Sequence, residues 1–406
     1  MSEQFGSGRH GFDPATRLRE RERRDLRRDL TPAERVAASS HIAGDPKGDR
    51  PSFDGEESLL FATNNYLGLA DHDAVQRGAA DAARAVGTGA GASRLVTGDT
   101  PVHRDLERAI AETKGTERAL VFSSGYATNV GTIAALDPDV VFSDERNHAS
   151  IIDGCRQTTG ETVVYDHCDP ADLRSKMTAR ATHADGDSWL VVTDSVFSMD
   201  GDVAPLAAIC EVVESFGAWL MVDEAHATGL YDDGGGIVQR EGLSDRVHVQ
   251  MGTLSKALAS QGGYVAGSEP LIEHLLNAAR SFVFSTGLAP PAAGAARAAL
   301  RVTRESDRRD RLWANVDRLR DGLEALGYDV WGETQILPVL VGDRGDAMAL
   351  DERLREQGIV APGIRPPTVP EGTSRIRVAP MATHTDTDID RCLDAFRTAG
   401  RELGLV

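Results

Sequence analysis

HVQMGTLSKALASQGGYV, residues 248–265, is the stretch that decides how the rest of the chain is read. It opens on a short apolar run, passes a Gly252-Thr253 turn and delivers Lys256 among small residues. An apolar run that stops at such a turn predicts a buried strand ending at the edge of a sheet. Lysine is rare in this chain: Lys47, Lys114, Lys176 and Lys256 stand against 40 arginines among the 44 basic residues. Lys47 lies in a Pro/Gly/Asp loop, and Lys114 and Lys176 lie on polar stretches expected to be exposed. Only Lys256 is placed where an amine loses water and becomes nucleophilic, which suits it to forming a Schiff base with a carbonyl.

Outward from that strand the same texture repeats. The runs ALVF (119–122), DVVF (139–142), TVVY (162–165), WLVVT (189–193), WLMVD (219–223), VHVQM (247–251) and GYVAG (263–267) alternate with helical segments. One helix is predicted over Pro205–Phe216, with Leu206, Ile209, Cys210 and Val213 on one face, Pro205 at its first position and Gly217 as its stop. Strands apolar on both faces and joined by helices predict a doubly wound, mainly parallel α/β sheet. Before it, residues 13–30 read as a charged helix and 43–58 as loop. After about residue 300 come a long Arg/Asp/Glu helix (306–326), strands at QILPVLV and SRIRVAP, and a closing helix. That texture predicts a smaller C-terminal α+β domain. The expected division is 1–60 (N-terminal helix and connection), 61–300 (large domain) and 301–406 (small domain).

A chain of 406 residues, 41% hydrophobic and 26% charged, is large enough for two domains. Its net charge of −19 argues against non-specific nucleic-acid binding. The same acidity, with lysine nearly replaced by arginine, suits a high-salt interior, although a GC-rich genome accounts equally well for the arginine. Neither a signal peptide nor a membrane-spanning run is expected. Cys155, Cys168, Cys210 and Cys392 show no CxxC and no metal-ligand spacing. They are expected to be reduced thiols of a cytoplasmic protein, with no metal site.

In an open parallel sheet, ligands gather at the carboxyl ends of the strands. Here those ends carry Ser124-Gly125-Tyr126, Ser143 to His148, Asp194 to Gly201, Asp223 to His226, and Gly252 to Lys256. Every strand delivers polar groups to one edge. Asp223 taken alone reads as a cap, but beside a lysine it suits a carboxylate that keeps a pyridinium nitrogen protonated. His148 reads either as a capping histidine or as an imidazole stacked on a cofactor ring. His226 is either a satisfied loop histidine or a partner for the cofactor phenolate. Ser124-Gly125-Tyr126 opens a helix, whose first N–H groups bind phosphate, and Thr253 offers a hydroxyl to the same group. The glycine-rich stretch 86–100, VGTGAGASRLVTGDT, is neither GxGxxG nor a Walker A sequence and reads as a flexible loop near the site.

GTGAGASRLVTG, VFSSGYATNVG, FSDERNHASIIDG, TDSVFSMDGD, MVDEAHATG and QMGTLSKALASQGGYVAG together resemble the α-oxoamine synthases. These are pyridoxal phosphate (PLP)-dependent acyltransferases of the aspartate-aminotransferase fold, fold type I. The resemblance runs from about residue 60 to the end. It implies that Lys256 is the Schiff-base lysine and the base that takes the amino acid's α-proton. Asp223 would pair with the pyridine nitrogen, His148 would stack on the ring, and Ser198 and His226 would bond the phenolic oxygen. Gly125, Tyr126 and Thr253 would hold PLP, the first and last at its phosphate. Ser285 and Thr286 would reach the phosphate of a neighbouring subunit, which implies a homodimer with shared sites. Asn64 and Arg377 would grip the amino-acid carboxylate.

Within the family, IRPPTVPEGTSRIRV (364–378) resembles the 8-amino-7-oxononanoate synthases of biotin synthesis, which condense alanine with a pimeloyl thioester. Arg365 and Thr368 would then lie near the acyl chain, and Arg27 (or Arg28) matches an N-terminal substrate arginine. SIIDGCR, DRLWAN and FRTAGRELG resemble the glycine C-acetyltransferases instead, which use glycine and acetyl-CoA. Two departures stand out. Ala259 replaces a usual glycine, with a slight narrowing of the site expected, and Glu224 replaces a common Asp at a position that is not a cofactor contact.

Overall fold

The computed structural model describes residues 12–24, 26–27, 30–42, 55–181 and 186–406. Lys47 and Arg28 lie outside them. The seven apolar runs become the seven strands of one sheet: β1 (Arg118–Phe122), β2 (Val140–Asp144), β3 (Glu161–Tyr165), β4 (Trp189–Asp194), β5 (Trp219–Asp223), β6 (Val249–Thr253) and β7 (Gly263–Gly267). Their order is β1-β7-β6-β5-β4-β2-β3. Only β7 runs against its neighbours, and the other pairings are parallel. Alternation along each strand feeds two cores. Val121, Phe142, Val191 and Val222 enter one, and Leu120, Val141, Val192 and Met221 enter the other. Both faces are therefore dry, as parallel strands require. The helix after β4 spans Leu206–Phe216; Pro205 caps it from outside rather than opening it, and Gly217 ends it in the left-handed region at φ 64°.

A second sheet is antiparallel: β8 (Asp329–Val330), β9 (Leu337–Gly342), β10 (Gly363–Ile364) and β11 (Ser374–Val378), in the order β8-β9-β11-β10. The helix before it runs Arg308–Ala325, and the closing helix Asp386–Leu403 covers it with Ile389, Cys392 and Phe396. Leu59 and Leu60 pair in parallel with Ile359 and Val360. Residues Ser58–Val406, with Val36–Ser40, make up one compact unit. The remaining described N-terminal residues form a separate unit. There the expected long helix is short, Pro14–Arg23, capped by Asp13, whose Oδ1 accepts Thr16 N–H at 3.0 Å.

A further expectation fails on long-range contacts. Lys114 is buried, not exposed: its Nζ lies 2.5 Å from Glu224 Oε2 and 3.1 Å from Gln239 Oε1. That pairing explains Glu224, whose other oxygen accepts Val238 N–H at 2.9 Å. Residues 87–100 form a loop, as expected, but one anchored by a buried arginine. Arg94 is buried there, 2.6 Å from Asp99 and 2.9 Å from Glu107.

A buried charge left without its partner loses more than the pair gained. Lys114→Ala is expected to cost about 3–5 kcal/mol, read as a lower urea midpoint. The double replacement Lys114→Met with Glu224→Leu should recover most of that loss, because neither charge then remains.

Candidate active site

At the carboxyl edge of the large sheet, a cavity of about 230 Å³ is lined by Lys256, Asp223, His148, His226, Ser198, Gly125, Tyr126 and Thr253, with Ser124, Asn129, Ser150, Asp194 and Ser255 between them. Eight of the residues singled out from the sequence thus meet around one space. A larger cavity of about 490 Å³, lined by Trp189, Trp219 and Phe216, opens at the opposite edge, where the strands begin, and contains none of them.

Lys256 follows β6 in a tight turn, with Ala259 N–H donating to Lys256 O at 2.9 Å. Burial pushes its ammonium down to about 8 from the ordinary 10.5; Asp223 and Asp194 oppose the shift and Arg377 adds to it. Asp223 ends β5. Its Oδ2 accepts Asn129 Nδ2–H at 2.7 Å and its Oδ1 accepts Ala225 N–H at 2.8 Å, so it serves as a local cap and as the anion of the cavity floor. Asp194, in register with Asp223 on β4, accepts His148 N–H at 2.9 Å. Burial, reinforced by Asp223, holds its carboxyl well above the usual range.

His148 also fits both readings. It caps the helix Ala149–Cys155 through Nδ1 and lines the cavity at the same time. His226 is buried, with Nδ1 2.7 Å from Tyr66 Oη. Burial, with Lys256 and Arg377, holds it well below its ordinary value. Arg377, on β11, donates from Nε to Ser198 O at 2.6 Å and from Nη2 to Asn64 Oδ1 at 3.1 Å. Tyr66 joins this group by donating to Asn64 Oδ1 at 3.0 Å. Asn64 and Arg377, expected to grip an amino-acid carboxylate, therefore share one hydrogen-bond network beside Ser198.

At the start of the helix Gly125–Leu136, Ser124 Oγ accepts Ala127 N–H at 3.1 Å. A Cβ on Gly125 would sit 3.2 Å from Thr253 Oγ1, so glycine keeps the first turn open to a ligand. Tyr126 Oη donates to Asp153.

Four other expected residues of this unit lie outside that lining. Ser285 and Thr286 do not line this cavity; Ser285 Oγ donates to Thr286 O at 3.1 Å. Arg365 Nη1 rests 2.8 Å from Met348 Sδ, and Thr368 is exposed. Arg27 pairs with Glu22 at 3.1 Å. Ala259 is not among the residues lining this cavity; it occupies a left-handed conformation, φ 49°. The residues missed were Asn129, Ser150, Asp194 and Tyr66. Asn129, Ser150 and Asp194 each stood inside a quoted motif, but nothing local distinguished them from their neighbours.

Folding brings together groups that the cysteine spacing did not connect. Asp144, His167 and Cys168 bring ligand-type atoms within 4.8 Å of one another. His167 is already held between Asp144 and Asp202, at 3.0 Å from each. Those two carboxylates, with Cys168, outweigh burial and push it up to about 11.

A desolvated amine, a fixed buried carboxylate and an open helix start around one small cavity fit the charge pattern of pyridoxal phosphate: carbonyl, ring nitrogen and phosphate. Asn129 adds a buried Oδ1 with no protein partner beside the same floor.

Residues 56–396 match the family described as aminotransferase class I and II. The chain belongs to that family. It is 47% identical over 372 residues to an 8-amino-7-oxononanoate synthase of Geobacter sulfurreducens, covering 90% of this chain and 94% of the relative. It is 46% identical over 357 residues to one from Lysinibacillus sphaericus, covering 87% and 91%. A serine palmitoyltransferase from S. paucimobilis, solved with bound PLP–myriocin, superposes with a TM-score of 0.87 at 30% identity, covering 97% of this chain and 98% of that one. These findings bear out the α-oxoamine synthase resemblance and the fold type I architecture.

Two outcomes are expected from this geometry. In PLP-free protein, acylation of Lys256 by an amine reagent should rise with pH through a midpoint at about 8, since only the neutral amine reacts; a midpoint near 10.5 would mean a solvated lysine. Ala259→Gly should stabilise the fold by about 1 kcal/mol, because relief of left-handed strain outweighs glycine's entropy; thermal unfolding measures it.

Proposed function

We propose that this protein condenses L-alanine with a pimeloyl thioester, on CoA or a carrier protein, to give 8-amino-7-oxononanoate, CO2 and the free thiol in biotin synthesis. The observation that carries this reading is the near-full-length identity to relatives that bear that name, joined to a cavity with the charges the chemistry needs. The glycine and acetyl-CoA alternative draws no comparable support from those relatives.

PLP, when bound, supplies a conjugated electron sink for the charge left on an amino acid's α-carbon. Lys256, Asp223, His148, Ser198, His226, Gly125, Tyr126 and Thr253 are the residues that would hold it. Arg377, backed by Asn64, offers a planar fork suited to an amino-acid carboxylate. Lys256 Nζ, with its value near 8, can take and return a proton at working pH, which matches a general base to its task. His226, kept neutral by burial, can share a hydrogen bond without adding positive charge beside Lys256. Arg365, Thr368 and Arg27 are assigned to the acyl substrate, whose far end carries a carboxylate or its ester.

A homodimer is part of the proposal. Exposed Leu95, Val96 and Phe284 flank the segment carrying Ser285 and Thr286, and Ser93 Oγ ties the two stretches together through Val283 O at 2.9 Å. That apolar patch suits a second copy whose cofactor phosphate those hydroxyls reach. A cytoplasmic location is supported by four free cysteines; no helix among the described residues is long and apolar enough to cross a membrane. The functional division of the chain at about residues 60 and 300 is proposed in the same sense.

Purified PLP-loaded protein should release thiol and CO2 with L-alanine plus pimeloyl-CoA. Turnover with glycine and acetyl-CoA alone would overturn the proposal. Arg377→Ala should weaken alanine binding by about 2–4 kcal/mol, the cost of stripping a partner from a buried charge. An unchanged KM for alanine would move the carboxylate site elsewhere.

A further inference from the structure

The polar atoms behind His148 admit one consistent placement of protons. His148 Nδ1 lies 2.7 Å from Ser150 Oγ, and Ser150 N–H points at the same nitrogen at 3.2 Å. Asn129 Nδ2 lies 2.9 Å from Ser150 Oγ and 2.7 Å from Asp223 Oδ2. The amide nitrogen, not its oxygen, must face Asp223, because an amide oxygen would meet the carboxylate with no proton between them. Asn129 therefore donates to both Asp223 and Ser150. Ser150 Oγ, having accepted that bond, has its single O–H left for His148. Two donors then converge on Nδ1, which carries no proton, and the ring proton resides on Nε2.

The opposite tautomer fails on burial. Ser150 and Asn129 are each 1% exposed. A proton on Nδ1 would face the Ser150 backbone N–H, and it would leave the Ser150 hydroxyl hydrogen without an acceptor where water cannot replace one. Asn129 Oδ1 has no protein partner, so the amide is oriented by what it donates.

We propose that Ser150 and Asn129 are positioning residues that hold His148 as the neutral Nε2–H tautomer and tie it to Asp223. The chain His148–Ser150–Asn129–Asp223 leaves Nε2–H as the one ring group free to serve the cavity. It rests on the reading of Asp223 as the anion of a PLP site. Asp223, Asp194, Lys256, His226 and Tyr126 are the other titratable groups lining the same cavity. Burial, opposed by Asp223 and aided by Lys256, holds His148 below its ordinary value, in the sense this arrangement requires. An imidazolium here would stand against the Lys256 ammonium and leave the Ser150 backbone N–H and hydroxyl hydrogen without their acceptor.

The test is 15N NMR of histidine-labelled protein, PLP-loaded and PLP-free, with His148 assigned by its loss in His148→Asn. Wild-type protein should show an unprotonated Nδ1 and a protonated Nε2 across neutral pH. Ser150→Ala should mix the tautomers and raise the His148 pKa by about one unit, tenfold in its protonation equilibrium; Ser150→Thr, which keeps the hydroxyl, should restore both. A protonated Nδ1 in wild type overturns the proposal even if Ser150→Ala does not fold. An unchanged signal in a folded Ser150→Ala protein also overturns it. Neither readout uses turnover, so failure of the alanine and pimeloyl assignment would appear separately, as inactive protein with the tautomer in place.

Discussion

A lysine amine and an aspartate carboxylate, both withdrawn from water and facing one small cavity, set the terms for the rest of this molecule. Burial alone would neutralise Lys256 further and strand Asp223 as an uncompensated charge. The fold prevents both. Asp223 receives two hydrogen bonds, from Asn129 and Ala225, and its charge opposes the effect of burial on the amine, which stays near 8 rather than lower. An amine in that range is a nucleophile and a proton carrier at neutral pH, whereas a solvated one would remain an ammonium.

Keeping these groups in place requires charge on the far side of the sheet as well. Glu224 follows Asp223 directly, points the other way and meets Lys114. Gly252, just before Thr253, has no room for a side chain because a Cβ there would collide with Tyr264 Oη. Loops from different strands are pinned in the same manner. Arg375 and Arg146 both bond Asp200 Oδ1, at 2.8 and 2.9 Å, and His167 bridges Asp144 and Asp202. Buried pairs of this kind add little net stability over an apolar core, but they penalise misplacement heavily. That property suits a site whose parts come from five strand ends.

Much of this was legible before folding, and for a clear reason. Strand ends in a parallel sheet are local features, so the polar residues placed directly after the apolar runs marked out Asp223, His148, His226, Ser198, Gly125, Thr253 and Lys256 as one group. The failures share a different cause. Lys114 sits on a polar stretch, and only Glu224, 110 positions later, makes its burial possible. Arg94 lies among glycines that suggest mobility, yet Glu107, on the next helix, holds it. His167 and Cys168 are adjacent in the chain, but the cluster they form needs Asp144 from another strand.

By itself, then, the sequence determined the α/β architecture, the seven sheet strands and the edge at which chemistry gathers, because apolar periodicity and turn residues act over a few positions. The family resemblance added the identity of the groups at that edge. Only the tertiary structure decided which polar groups face each other: Asn129 beside Asp223 and Ser150, Tyr66 beside His226, and Lys114 against Glu224. Hydrogen bonds and ion pairs depend on distances of about 3 Å between residues far apart in the chain. No local pattern carries such distances. They exist only once the strands have taken their order.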